Sequence, residues 1–297
     1  MTAARPVVVT GASGFVGRHL SNYLAGRGWA VRGLVRDTTQ GGGYGPGIEL
    51  FRCVLPEEID PAPFRGAQAV IHCAYATRAA TVEEARRVNE EGTARVYGLS
   101  QEAGVDQFVF LSSTSAHEAA ASFYGQSKFA IERRLDPTRD LIIRPGLVLG
   151  KGGGLFDRVV ATVRRARVVP LLDGGRQIVQ TVYVDDLCVA IERALDQRLV
   201  GRYVVAEPEG LLLRDLLRLV AARLGRSCLF ISVPAAPVLA VVRGLEGLGI
   251  RLPVSSENVL GLTTARMQPS TADLATIGVT VRSAAESLAL LLAPASR

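Results

Sequence analysis

The sequence predicts an α/β fold, a doubly wound parallel sheet covered by helices on both faces and followed by a smaller, mostly helical domain. Three observations carry that prediction. Short β-branched runs alternate with helically spaced stretches through the first half of the chain, a glycine-rich turn joins the first run to the first helical stretch, and the alternation breaks after Pro145. The apolar runs are continuous, which marks strands buried on both faces of a parallel sheet. Right-handed crossovers then wind the sheet in both directions.

Strands are predicted at residues 7–10, 31–35, 69–72, 108–111 and 141–144, with helices over 16–25, 82–103 and 123–135 between them. Residues 41–47, Gly-Gly-Gly-Tyr-Gly-Pro-Gly, cannot hold a regular helix and read as a loop. Beyond Pro145, the spacing predicts a loop at 150–154, a helix over 155–165, a short extended piece at 182–184 and a helix over 185–195. A strand at 202–206 and helices over 213–224, 238–248, 256–262 and 283–292 complete the reading. One domain is therefore expected from residues 1–150 with 182–206, and a second from 151–181 with 207–297.

Composition removes several function classes. Hydrophobic residues are 48% of the 297, enough for a full core. The net charge of +6 is scattered among acids, as in Glu83-Glu84-Ala85-Arg86-Arg87, and the dense run Arg164-Arg165-Ala166-Arg167 reads as a solvated helix end, so nucleic acid is not an expected partner. The longest uncharged apolar stretch, 231–242, is interrupted by Pro234 and Pro237 and too short to span a bilayer, so no membrane partner is expected. Cys53, Cys73, Cys188 and Cys228 lack metal-ligand spacing, and the three histidines are isolated, so no metal site is expected. With no signal-peptide layout at the start, a cytoplasmic location follows as the expectation.

The turn Thr10-Gly11-Ala12-Ser13-Gly14-Phe15-Val16-Gly17 lies between a predicted strand and a predicted helix. Gly11 permits the tight turn, Gly14 lets backbone approach a pyrophosphate, and Gly17 packs helix on strand. The free N–H groups of the helix start favour phosphate. Gly11, Ser13, Gly14, Phe15, Val16 and Gly17 are thus candidate dinucleotide-binding residues of a Rossmann sheet. An acid at the end of the second strand would hold a ribose hydroxyl; Val35 stands there, followed by Arg36, whose planar fork suits a 2′-phosphate. NADP(H) is favoured, while Asp37 keeps NAD(H) open.

Tyr124 and Lys128 lie at i and i+4 on one predicted helix face. An ammonium there would lower the phenol pKa and let it exchange a proton with an alcohol or ketone while the nicotinamide carries hydride. The chain has only two lysines, Lys128 and Lys151, and seven tyrosines, so chance places such a pair in roughly 5% of comparable chains. Ser112-Ser113 ends the strand beside the crevice, where a hydroxyl could hold the reacting oxygen.

Thr10–Gly17, Asn89, Ser112-Ser113, Tyr124–Lys128 and Arg144-Pro145-Gly146 occur in the order that resembles the extended short-chain dehydrogenases/reductases of the NAD-dependent epimerase/dehydratase family. The resemblance implies a catalytic site of Ser113, Tyr124, Lys128 and Asn89, with Tyr124, Lys128, Ala74, Pro145 and Val148 beside the cofactor. It implies a reductase or epimerase acting on a secondary alcohol or ketone, a nucleotide-linked sugar as the substrate, and a homodimer. His117 and Arg176 join Ser113 as candidate substrate contacts, Arg176 for a diphosphate, and Asp185 or Asp186 is expected to cap its helix. Residues 252–258 are similar to smaller sugar-nucleotide members and to members with a structural cofactor. The chain departs from the pattern in having no acid in Phe51-Arg52-Cys53-Val54-Leu55, where members meet adenine, and in a short interval between Ser113 and Tyr124. A non-catalytic cofactor-binding assembly or sensor protein, and a reductase of a non-sugar ketone, remain alternatives.

Overall fold

The computed structural model describes residues 5–39, 42–77, 79, 81–250 and 255–292. Residues 1–4, Gly41 of the glycine-rich loop, and Leu252, Pro253 and Val254 lie outside the described residues. In chain order the first half runs β1 (Arg5–Thr10), α1 (Phe15–Gly26), β2 (Trp29–Val35), β3 (Ile48–Val54), β4 (Glu58–Ile59), β5 (Ala69–His72), α2 (Val82–Arg86), α3 (Gly92–Glu102), β6 (Gln107–Leu111), α4 (Phe123–Glu132) and β7 (Leu141–Pro145). The second half runs β8 (Leu147–Leu149), α5 (Gly154–Arg165), β9 (Val168–Leu172), β10 (Ile178–Val179), β11 (Thr181–Tyr183), α6 (Val184–Asp196), β12 (Gly201–Val205), β13 (Leu211–Leu212), α7 (Leu213–Arg223), β14 (Leu229–Val233), α8 (Ala235–Gly247), α9 (Ser256–Thr263), α10 (Thr271–Ile277) and α11 (Ala284–Leu291).

The main sheet has the order β12-β7-β6-β5-β1-β2-β3-β4 and is parallel except for β4, which pairs antiparallel with β3. Winding reverses between β1 and β5, which opens a crevice at their carboxyl ends. Both faces are buried, as the continuous apolar runs require: Val7 and Val9 pack with α1 and α6 on one side, and Val8 joins Val96, Leu99 and Ile131 of α3 and α4 on the other. A second core gathers α5, α7, α11 and β9 around Phe156, Val163, Val220 and Leu288. No helix among the described residues is long and apolar enough to cross a membrane.

The structure departs from the sequence reading in several places. β3 is an edge-side strand that alternates rather than running continuously apolar, so it escaped the pattern that found the others. The single helix expected over 82–103 is broken by a π-turn at Arg87–Glu91. Asp185 and Asp186 do not cap α6, whose N-cap is Tyr183. They sit in its first turn, where carboxylates suit the helix dipole, and Asp186 accepts from the backbone N–H of Arg282 (2.8 Å) and from its guanidinium. β9 and β14 form an unforeseen two-stranded parallel sheet beside the second core. The unforeseen α10 packs on α6 and β12.

Candidate active site

The glycine turn has the geometry that backbone–phosphate contact needs. Gly11 has φ of 63°, and a Cβ there would fall 2.7 Å from Ala74 Cα. A Cβ on Gly17 would fall 2.2 Å from the Gly11 carbonyl, so turn and helix touch through backbone alone. Gly14 is the N-cap of α1 and supplies no capping side chain, which leaves the first-turn N–H groups to a ligand. Ser13 and Gly14 are exposed, and Phe15 and Val16 are half-buried. The Phe15 ring lies under Gly150 and Gly153, where a Cβ would come within 2.7 and 3.0 Å of it. These residues fit a dinucleotide.

Behind the turn, a neutral histidine ties three elements together. Thr93 Oγ1 donates to the Asn89 carbonyl, so it must accept from His72 Nε2–H (3.0 Å). Nδ1 is then bare and accepts from Thr10 Oγ1 (2.8 Å), which in turn accepts from the Ala74 N–H (3.2 Å). Burial, with the Lys128 charge adding to it, pushes His72 down to about 3. His72 therefore fixes β1 and β5 to α3 and sets the Ala74 backbone beside Gly11. Asn89 completes this frame: its Oδ1 accepts from Ala76 N (2.6 Å) and its Nδ2 donates to Ala76 O (3.1 Å). These bonds tie Asn89, which lies in the π-turn, to the loop after β5, with one lone pair of Oδ1 and one hydrogen of Nδ2 left over.

Ser113 follows β6 where pairing with β7 continues through Ser112 N to Ile143 O (2.8 Å) and Thr114 N to Pro145 O (3.1 Å). The Ser113 Oγ accepts from Ser115 N (3.1 Å) and faces the Tyr124 phenol. Ser122 caps α4 and starts the helix that presents Tyr124. A Cβ on Gly125 would fall 2.5 Å from the Ser115 carbonyl, so this glycine lets the helix close on the Ser113 loop. Lys128 is 3% exposed and donates to Leu111 O (2.6 Å), with its ammonium 4.3 Å from the Tyr75 ring centroid and 4.5 Å from that of Phe110. Burial lowers Lys128 to about 7, opposed by Cys73 and Glu132. Tyr124 departs from expectation: burial raises its pKa, and the Ser113 hydroxyl is what opposes that rise. The ammonium is turned to the Leu111 carbonyl. Pro145 ends β7, and half-buried Val148 pairs with Val182 beside it. Gly146 permits this corner, since a Cβ there would meet Gln180 O at 2.3 Å.

Of the expected substrate contacts, His117 gives Nε2 to the Thr264 carbonyl (3.1 Å), while its Nδ1 is buried; it latches the 114–121 loop to α9. Arg176 is exposed after Gly174 and Gly175, with no hydrogen bond or ion pair among the described residues. Arg36 is exposed beyond β2, its carbonyl accepts from Arg52 (3.3 Å), and its guanidinium has no hydrogen bond or ion pair among the described residues. Asp37 is exposed and bonds Thr39, with Oδ1 accepting from its N (2.9 Å) and Oγ1 (2.6 Å).

Two features were missed by sequence reasoning. Tyr75 packs edge-on to Tyr124 with centroids 5.2 Å apart and lies under the Lys128 ammonium; its place just after Ala74 was the available signal. Glu132, whose side chain is fully buried, accepts from Ser112 Oγ (2.5 Å) and takes both Nε (2.9 Å) and Nη2 (2.6 Å) of Arg144. Arg144 Nη1 reaches Gln268 Oε1 (3.1 Å), and Gln268 Nε2 donates to Thr114 O (2.5 Å). The network grips the residues on each side of Ser113.

Known proteins place this geometry. A ceramide reductase from Caulobacter vibrioides is 36% identical over 196 residues, 62% of this chain and 59% of that protein's length. A dTDP-4-dehydro-6-deoxy-D-allose reductase from Streptomyces bikiniensis is 26% identical over 289 residues, 82% of this chain and 89% of that one. The fold is shared with the crystal structure of gox2253 (TM-score 0.77, 23% identity, 97% of each chain covered) and with human epimerase family protein SDR39U1 solved with NADPH (TM-score 0.72, 19% identity, 96% and 98% covered). The family model described as NAD dependent epimerase/dehydratase matches residues 7–206. This chain is an enzyme of the NAD dependent epimerase/dehydratase family, among the extended short-chain dehydrogenases/reductases.

Proposed function

We propose that the enzyme reduces a ketone to a secondary alcohol with NADP(H), with Ser113, Tyr124 and Lys128 as its working site. The observation that carries this reading is the geometry around the Tyr124 phenol, which faces the Ser113 hydroxyl and lies one helical turn before the buried Lys128 ammonium. A protonated phenol is the form that can give a proton to a carbonyl oxygen. The bound nicotinamide supplies the hydride. Ser113 and Tyr124 donate to the carbonyl oxygen as it gains charge. Lys128, with a pKa lowered to about 7, can re-supply a proton near neutrality. The Arg36 guanidinium, without a partner among the described residues, supports NADP(H) over NAD(H), and the competing acid Asp37 is engaged with Thr39.

A nucleotide-linked sugar is the first substrate class: the Streptomyces relative is named for one, and exposed Arg176 is available to a diphosphate. The Caulobacter relative, named for ceramide, supports a long-chain lipid ketone as the second. The test offers NADPH or NADH with a nucleotide-linked ketosugar and with a long-chain ketone, following cofactor absorbance and product together. NADPH consumed in step with alcohol formed is the expected result. Epimerised substrate with no net cofactor consumption refutes the reductase reading.

A further inference from the structure

The β9–β14 register pairs Leu229 with Val168 and Ile231 with Pro170, which puts these four side chains on one face. The opposite face carries Val169, Leu171 and Phe230 and packs into the core shared with α5 and α7. Nothing among the described residues covers the first face: Val168 is 46% exposed, Leu229 63% and Ile231 41%, and Pro170 is exposed too. A sheet with one wet face normally places polar residues there. Here the face is wholly apolar. α8 follows β14 through Pro234 and continues the character with an exposed stripe of Pro237, Val241, Gly244 and Leu248.

Charge lines one end of this face. Leu229 N bonds Arg167 O (2.9 Å), and Cys228 Sγ reaches Val163 O (3.5 Å) and Ala166 O (3.3 Å), so the loop leaving α7 lies against the end of α5. That contact gathers Arg164, Arg165, Arg167, Arg223 and Arg226, all exposed and none in an ion pair among the described residues. No Asp or Glu occurs in residues 158–172 or 216–245.

We propose that this face, with its arginine edge, docks the enzyme on the surface of a lipid bilayer carrying anionic headgroups. An apolar centre bordered by cations of one sign is the arrangement that lies in a membrane interface, where each basic residue adds attraction to anionic lipid. Protein partners are oriented by mixed charges that fix register, whereas none of these five arginines meets an acid among the described residues. The expectation of no membrane contact rested on the lack of a spanning segment, which peripheral docking does not require. The sequence signal was divided among α5, β9 and the α7–β14 loop, each of which alone reads as a solvated helix end or a core strand. The proposal does not depend on which ketone is reduced.

The test is co-sedimentation of the full chain with vesicles of phosphatidylcholine alone and of phosphatidylcholine mixed with phosphatidylglycerol, at low and high salt. One variant joins Leu229→Asp to Ile231→Asp; another replaces Arg164, Arg165 and Arg167 by Gln. The rise in melting temperature on adding NADPH reports that each variant keeps its fold; should the aspartate variant lose it, the arginine variant alone decides. The wild type is expected in the pellet with anionic vesicles at low salt. The arginine variant should partition on the order of a hundredfold less, at roughly fivefold per arginine. Wild type left in the supernatant, equal binding to neutral vesicles, or variants that bind unchanged would each overturn the proposal. So would a vesicle-free wild-type assembly that the aspartate variant dissociates, because the face would then be a contact between copies of this chain.

Discussion

Replacing Glu132 by Ala should unfold the enzyme far more readily than replacing the arginine outside it. Glu132 is fully buried, and Arg144 keeps only 10% of its side chain exposed. Arg144 gives Glu132 two parallel N–H donors, and Ser112 adds a third bond. Taking away the carboxylate leaves a buried guanidinium without its counter-charge, a loss of about 3–5 kcal/mol. For a chain of this size that is a fall in melting temperature on the order of 10 °C. Arg202 also reaches Glu132, at 3.1 Å, but 47% of its side chain is in water, so Arg202→Ala should cost at most about 1 kcal/mol. Replacing Glu132 and Arg144 together by Leu and Met should recover much of the stability, because no charge is then stranded. Thermal unfolding followed by circular dichroism at neutral pH reads all three. Equal losses for Glu132→Ala and Arg202→Ala, or a double variant no better than Glu132→Ala, would refute the reasoning.

Other predictions follow from the cofactor side and from pH. Arg36→Ser should weaken NADPH binding by about 10–100-fold, the worth of a charge-assisted bond, and leave NADH nearly unchanged; titration by fluorescence checks it. Gly11→Ala forces a side chain at φ of 63° into the Ala74 backbone, so NADPH should no longer raise the melting temperature. Lys128 titrates near 7 when folded and near 10.4 when unfolded, so between those values the unfolded chain holds more protons and this residue's contribution favours folding increasingly as pH rises. Below pH 7 both states are protonated and the burial penalty stands in full. Lys128→Met should therefore melt higher than wild type at pH 6, with the gap narrowing toward pH 9; a gap that does not change with pH would contradict the buried-ammonium picture.

What could be read from the sequence was local. The strand–glycine–helix unit at Gly11–Gly17, the Ser113 strand end and the Tyr124–Lys128 spacing each lie within a few residues, so their pattern survives without tertiary information. Continuous apolar runs found β1, β2 and β5 to β7 because both faces of those strands are covered. β3 lies toward the sheet edge and alternates, so it did not carry the same signal. Long-range pairing stayed hidden: His72 with Thr10 and Thr93, Glu132 with Arg144, and β9 with β14 join residues with no periodic relation. The backbone partners of Asn89 and His117 were equally hidden, because an amide or imidazole near a site looks the same in sequence whatever backbone it meets. The direction of the Tyr124 shift was misjudged for a related reason. Spacing places Lys128 one turn away, but the Leu111 carbonyl decides where the ammonium points.

The central claim is that the Tyr124 phenol delivers the proton to a carbonyl oxygen shared with Ser113. Single-turnover reduction by pre-bound NADPH, compared between wild type, Tyr124→Phe and Ser113→Ala, tests it most directly. Tyr124→Phe is predicted to slow the chemical step by about 10²–10⁴-fold with NADPH affinity unchanged, and Ser113→Ala by a smaller factor. A Tyr124→Phe enzyme that reduces its substrate at the wild-type single-turnover rate would contradict the account.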